Sequence, residues 1–350
     1  MDFNIDKEKV RPVIISSYSQ LYLFSIMAFL RFLTAYAILN DVGNTDIFPI
    51  SHSFHRKDIN MKLPDFNNMH RPVFSFEIFP PKKDFPVETI YKTLDGLSGL
   101  NPDFISVTYG AGGNTANTYT QDIASIIQEK YNTPSVAHLT CLNSSKEDID
   151  TILAQLKEKN VENILALRGD RNPDVVPKED FHYAHELISY IKEHGDFHIC
   201  AACYPEGHMD APDLVSDIHF LKQKVDAGAE HLLSQLFFDN DAFYRFRELA
   251  DAAGIHVPIE AGIMPVVNKK QIERMVSLCG ASLPAKFSKT MQRFENNPNA
   301  LRDAGIAYAA DQIIDLVSNG VDGIHLYTMN NPYVAQKISE AVKSIINTEV

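Results

Sequence analysis

The chain has 350 residues, of which 45% are hydrophobic and 22% charged, close to the average of soluble folded proteins and far from disordered or fibrous compositions. Its formal net charge of −13 argues against a nucleic-acid binder that tracks phosphates with a dense basic surface, so any anionic ligand has to be held by a few local cations. Four cysteines, Cys141, Cys200, Cys203 and Cys279, are too few and too scattered for a disulfide framework and point to a reducing compartment, the cytoplasm by default.

In chain order, the first unusual feature is the stretch 13–30, which carries no charged residue and is just long enough to be considered as a membrane span before Arg31 interrupts it. Lys7, Lys9 and Arg11 ahead of it and Ala35-Tyr36-Ala37 behind it have the outline of a signal sequence, but Asp2, Asp6 and Glu8 dilute the basic region. Met61 is an alternative start ahead of the first clear strand. Residues 1–60 are therefore read as a partly hydrophobic extension outside the functional protein, and 61–350 as a catalytic domain with no membrane contact.

From Arg71 onward, short β-rich runs alternate with longer stretches of helical period, the pattern of parallel β/α units. Strands are expected at 73–79, 104–109, 135–141, 163–167, 198–204, 231–238, 258–263 and 323–327, each followed by a helix. After the fifth, Leu214, Ile218, Leu221 and Val225 form one apolar stripe, and Gly228 ends it. Gly254 and Gly320 punctuate later units in the same way. Eight such units in one chain imply a closed (β/α)8 barrel. An open doubly wound sheet is the runner-up, but no G-x-G-x-x-G turn follows the first strand.

In such a barrel, chemistry sits where strands end at the C-terminal face. Those positions are polar here: Glu77 on the first strand, Thr108-Tyr109-Gly110-Ala111 after the second, 138–141 on the third and Arg168-Gly169-Asp170 after the fourth. The fifth gives Tyr204 to His208, the sixth Gln235 and Asp239, and the eighth His325, Tyr327 and Asn330. Two metal readings fail on strand geometry. Cys200 and Cys203, like His138 and Cys141, are three apart on one strand and point to opposite faces, so no metal site is expected from either pair.

The motifs F-S-F-E-I-F-P-P, S-V-T-Y-G-A, H-L-T-C, A-L-R-G-D, Y-P-E-G-H, K-V-D-A-G-A, Q-L-F-F-D, G-I-M-P-V and H-L-Y-T-M-N, in this order across 71–342, resemble the methylenetetrahydrofolate reductase family. The resemblance implies a TIM barrel binding FAD, with NADH or NADPH reducing 5,10-methylenetetrahydrofolate to 5-methyltetrahydrofolate in a ping-pong hydride transfer that supplies methyl groups for methionine synthesis. It also implies a cytoplasmic homo-oligomer whose partner molecule is a reduced folate. Its length resembles the bacterial form, without the C-terminal regulatory domain of eukaryotic relatives. The alternatives are a folate-dependent methyltransferase or lyase on the same barrel, or a non-catalytic flavin- and folate-binding protein, since a fold does not fix a function.

The bridging methylene of the folate must open to an iminium before it accepts a hydride, and opening needs a proton. Glu77, between Phe76 and Ile78 and stiffened by Pro80-Pro81, has the apolar setting that keeps a carboxylic acid available as a general acid. On its own it reads more readily as a partner of Lys82 or Lys83, and the other motifs reverse that balance. The resemblance gives Asp170 the second catalytic role: a carboxylate beside the isoalloxazine disfavours negative charge there and stabilises a cationic folate. It assigns FAD contacts to Tyr109, Ala111, His138, Arg168, Gly169, Asp170, Tyr183, Ala184, Tyr204, His208, Asp217 and Lys224. Arg168 and Lys224 would neutralise the diphosphate and Gly169 would permit close approach. Thr108 would lie near the nicotinamide. Folate contacts fall to Glu77, Asp170, Gln235 and Gln271, the amides offering both a donor and an acceptor to the pterin edge. Phe220, Gln223, Met275 and Asn331 depart from the family pattern.

Overall fold

Alternation within each strand builds the architecture. The first strand, β1 (Val73–Ile78), turns Phe74, Phe76 and Ile78 outward into a buried layer and leaves Val73, Ser75 and Glu77 on the other face. The computed structural model describes residues 61–81, 88–109, 119–171, 176–268, 270–271 and 279–348. Contacts divide the chain after Ile59, and the described residues fall in the second unit, Asn60–Val350. The apolar stretch 13–30, Lys82, Lys83, Ala111 and Met275 lie outside the described residues.

The remaining strands are β2 (Ile105–Val107), β3 (Ser135–Thr140), β4 (Asn163–Leu167), β5 (His198–Cys203), β6 (His231–Ser234), β7 (Ile259–Ile263) and β8 (Gly323–Tyr327). All pair in parallel with their neighbours, and β8 pairs with β1, closing the barrel in sequence order as expected. Between them run α1 (Glu88–Ser98), α2 (Tyr119–Tyr131), α3 (Lys146–Glu158), α4 (Ala184–His194), α5 (Leu214–Asp226) and α6 (Asn240–Ala252). Both α7 (Ala285–Phe294) and α8 (Pro298–Ser318) separate β7 from β8, and α9 (Pro332–Ile346) follows.

Local chemistry sets the helix starts. Ser145 and Asp148 form a reciprocal capping box on α3, Asp213 caps α5, and Pro298 and Pro332 follow the capping residues Asn297 and Asn331. Ile218 and Leu221 of the predicted stripe are buried, and Gly228 sits at φ +117, where a side chain would be strained. Two cores result. Outward strand residues and the inner faces of the helices make the larger one. Inside the barrel, Val73, Phe104, Val136, Leu165, Cys200 and Leu233 pack together, covered at the N-terminal end by Leu63, Phe66 and Met69.

Strand six ends four residues earlier than the sequence pattern predicts, at Ser234 rather than 238. The Gln235 side-chain oxygen accepts from the backbone N–H of Leu236, and Ser234 Oγ accepts from Gly262 N, so side chains take over from the ladder. Phe237 and Phe238 then leave the sheet to stack on Phe243 and Phe287, at centroid separations of 5.0 and 4.5 Å. Strand two is likewise shorter than its apolar run, because Phe104 precedes the ladder and the chain turns away after Thr108 N bonds Ile78 O. Among the described residues, no helix is long and apolar enough to cross a membrane.

Candidate active site

The C-terminal ends of the strands surround a cavity of about 390 Å³. Glu77 enters it from β1, and the exit of that strand is clamped from β8's side. Thr328 donates its N–H and hydroxyl to Glu77 O, while the Asn330 amide both accepts from Phe79 N and donates to Phe79 O. The carboxyl is 19% exposed, enough to meet a ligand but not to be bathed in water. Its Oε2 lies 3.7 Å from His138 Nε2 and 3.8 Å from His325 Nε2. Burial pushes the His138 pKa down to about 4 against the raising effect of Glu77, so this imidazole is neutral at pH 7 and brings no positive charge to the carboxyl.

Behind Glu77 the barrel core is polar. His325 Nδ1 meets Ser75 Oγ at 2.6 Å, and Ser75 donates to Glu260 Oε2 at 2.5 Å. Ser75, His325 and Glu260 are all essentially inaccessible. Across the mouth, Arg168, Gly169 and Asp170 follow β4, Tyr204 and His208 follow β5, and Gln235 follows β6. Gly169 has φ +89, and a Cβ there would lie 3.1 Å from Thr140 Cβ, so a larger residue would crowd the wall.

Arg168, Tyr204 and His208 also line a second cavity of about 270 Å³ that runs out between α4 and α5. Tyr183, Ala184 and His185 form one side of it, and Asp217, Phe220, Gln223 and Lys224 the other. The Lys224 ammonium donates to Ala202 O at 2.8 Å and stands 5.5 Å from the Tyr204 ring centre. Burial lowers its pKa, and the Asp217 carboxylate opposes that shift. Asp217 is buried, which raises its pKa while Lys224 lowers it, and it accepts from His208 N at 3.2 Å. Arg168 pairs with Asp210 at 2.8 Å. The two cavities share Leu167, Arg168, Ala202, Tyr204 and His208 in their walls, so the Arg168 guanidinium borders both and the Lys224 ammonium borders the second.

The methylenetetrahydrofolate reductase family model matches residues 62–343. The chain belongs to this family. It is 36% identical to the 5,10-methylenetetrahydrofolate reductase of Pectobacterium carotovorum over 287 residues, 82% of this chain and 95% of the relative. The Escherichia coli K12 reductase is 33% identical over the same shares. An Arabidopsis thaliana relative, methylenetetrahydrofolate reductase (NADH) 1, is 36% identical over 77% of this chain but 48% of its own length. A solved Clostridium thermocellum structure, described as an uncharacterized protein binding two copies of 5-methyl-5,6,7,8-tetrahydrofolic acid, has a TM-score of 0.56 at 15% identity, covering 80% of this chain and 97% of that one. That likeness is one of fold. Family membership makes this chain an oxidoreductase of folate metabolism that reduces methylenetetrahydrofolate to methyltetrahydrofolate.

Within this reductase fold, most residues singled out from the sequence meet around the two cavities. Glu77, Thr108, Tyr109, His138, Arg168, Gly169, Asp170, Tyr204, His208 and Gln235 line the first. Tyr183, Ala184, Asp217 and Lys224 line the second. Gln271 does not join them. It is buried, its amide oxygen accepts from Val267 N at 3.2 Å and its amide nitrogen reaches Pro265 O at 3.4 Å, so its own loop engages both groups. Asn331 caps α9 by accepting from Val334 N. Lys224, although on a helix, is not solvated but tied beneath β5. Asp170 has no ion pair with Arg168, whose partner is Asp210. Sequence reading missed Ser75 and Glu260; an acid inside the apolar run 258–266 was the available signal for the second.

Proposed function

We propose that the reduction runs through FAD, with NADH or NADPH as hydride donor and Glu77 as the proton donor to the folate. The observation that carries the reading is the half-buried Glu77 carboxyl facing the cavity beside a neutral imidazole, His138. The two adjoining cavities suit a dinucleotide: Gly169 leaves backbone bare in the wall of the first, and Arg168 and Lys224 bring two cations to a chain of net negative charge. Bound FAD supplies hydride transfer between the nicotinamide and the folate. Arg168, now paired with Asp210, and Lys224 would hold the diphosphate, the first as a fork and the second as a point charge. Tyr183 and Ala184, which line the second cavity, would hold the outer part of the cofactor.

At the mouth, the Gln235 oxygen is already bonded to Leu236 N, which leaves its amide nitrogen for the pterin edge. Thr108, which lines the first cavity, would lie by the nicotinamide. Glu77 gives its proton to the folate nitrogen that leaves the methylene bridge, and Asp170 stabilises the resulting cation. A solved relative in fold binds 5-methyl-5,6,7,8-tetrahydrofolic acid, which agrees with a folate on this scaffold. The product feeds methyl groups to methionine synthesis, and the unpaired thiols suit the cytoplasm. The test is anaerobic: the purified yellow protein is bleached by NADH or NADPH and recoloured by methylenetetrahydrofolate. A colourless protein that still binds folate would overturn the flavin reading.

A further inference from the structure

At the opposite end of the barrel, three side chains with metal-ligating atoms converge without any part in the reaction. His198 and Cys200 are two apart on β5 and so share its inward face, and His231 on β6 is the register partner of Cys200. Their ligand atoms lie within 4.8 Å of one another. Cys200 Sγ and His231 Nδ1 are 3.5 Å apart, matching the roughly 3.3–3.6 Å between ligand atoms on a tetrahedral zinc ion. Only His198 has to close further.

The far sides of both imidazoles face carboxylates. His231 Nε2 stands 2.8 Å from Glu260 Oε1, and neither atom has any other partner. His198 Nδ1 stands 3.7 Å from Glu230 Oε2, while its Nε2 is buried and unpartnered. A metal on one ring nitrogen and a carboxylate on the other is the arrangement that fixes histidine ligands. Charge also balances, because a divalent ion with one thiolate ligand and the neighbouring Glu260 carboxylate leaves the buried site neutral.

We infer that His198, Cys200 and His231 form a zinc-type divalent metal site at the N-terminal end of the barrel, with Glu260 as its outer carboxylate. Binding replaces the thiol proton of Cys200, which leaves to solvent, and the imidazoles bind neutral. Water completes the tetrahedron. His198, whose side chain is 16% exposed while His231 is fully enclosed, is the point of entry. The ion ties β5 to β6 and, through Glu260 and Ser75, β7 to β1.

The full chain, stripped with a chelator and titrated with Co(II), should take up one ion and develop a thiolate-to-cobalt charge-transfer band with tetrahedral visible bands, read as a difference from the metal-free protein. Zn(II) should abolish them. Cys200→Ser should remove the charge-transfer band, Cys203→Ser on the opposite strand face should retain it, and Glu260→Gln should weaken binding by about 10- to 100-fold. Should Cys200→Ser fail to fold, His198→Ala at the rim tests the site instead and should weaken Co(II) binding. Absence of the band in the wild type, or its survival in a folded Cys200→Ser or at unchanged affinity in His198→Ala, would overturn the inference. None of these signals depends on folate turnover.

Discussion

Replacing Glu77 by Gln separates the two halves of the reaction. The amide keeps the volume of the carboxyl and the two imidazole neighbours at 3.7 and 3.8 Å, so the cavity keeps its shape. What disappears is the proton. A positioned general acid contributes about 10²- to 10⁴-fold, which corresponds to about 3 to 5 kcal/mol on the barrier to opening the methylene bridge. Hydride transfer from the nicotinamide draws no proton from this side chain and should change by less than about threefold, since only the chemical step it serves is weakened. Anaerobic stopped-flow absorbance resolves both: bleaching by NADH or NADPH, then recolouring by methylenetetrahydrofolate. Recolouring within about threefold of wild type, or equal losses in both phases, would refute the assignment, because a transition-state interaction must show in its own step.

Lys224→Met keeps the apolar stem but removes the proposed charge-assisted bond to the diphosphate, worth about 1.5–3 kcal/mol, so FAD affinity should fall about 10- to 150-fold in a fluorescence titration of apoprotein; a fall below about threefold would place the diphosphate elsewhere. Gly262→Ala puts a Cβ 2.2 Å from Ser234 O and 2.9 Å from the Tyr327 hydroxyl, which donates to that same oxygen at 2.7 Å. The forced separation should lower stability by about 3 kcal/mol or more in urea unfolding, and a loss under about 1 kcal/mol would refute the close approach. His138 is depressed from 6.5 to about 4, so the unfolded chain binds more protons between these values and stability falls as pH drops through that window. His138→Asn should make the fall shallower by roughly 1 kcal/mol per pH unit, and an unchanged slope would contradict the burial argument.

The outline of this protein is legible in its sequence because it depends on short-range periods. Two-residue alternation in V-F-S-F-E-I, the apolar stripe of α5 and the glycines that close the helices specify eight β/α units, and the units place Glu77, Asp170 and Gln235 at one rim. Cys200 and Cys203 indeed separate, one into the barrel interior and the other into the outer core. Strand ends were less legible, since Gln235 and Ser234 compete with the ladder through side-chain bonds that no hydrophobic pattern displays.

Which like residues serve which end was decided only by tertiary structure. Gln235 and Gln271 are the same residue type in plausible positions, yet Gln235 lines the cavity and Gln271 is bound by its own loop. Arg168 found Asp210, forty-two positions away, rather than nearby Asp170. The cluster of His198, Cys200 and His231 was invisible to spacing rules applied along one strand, because its members meet through the β5–β6 register. Register and side-chain direction are set by closure of the whole barrel, and closure brings Ser75 against Glu260 across 185 residues of chain.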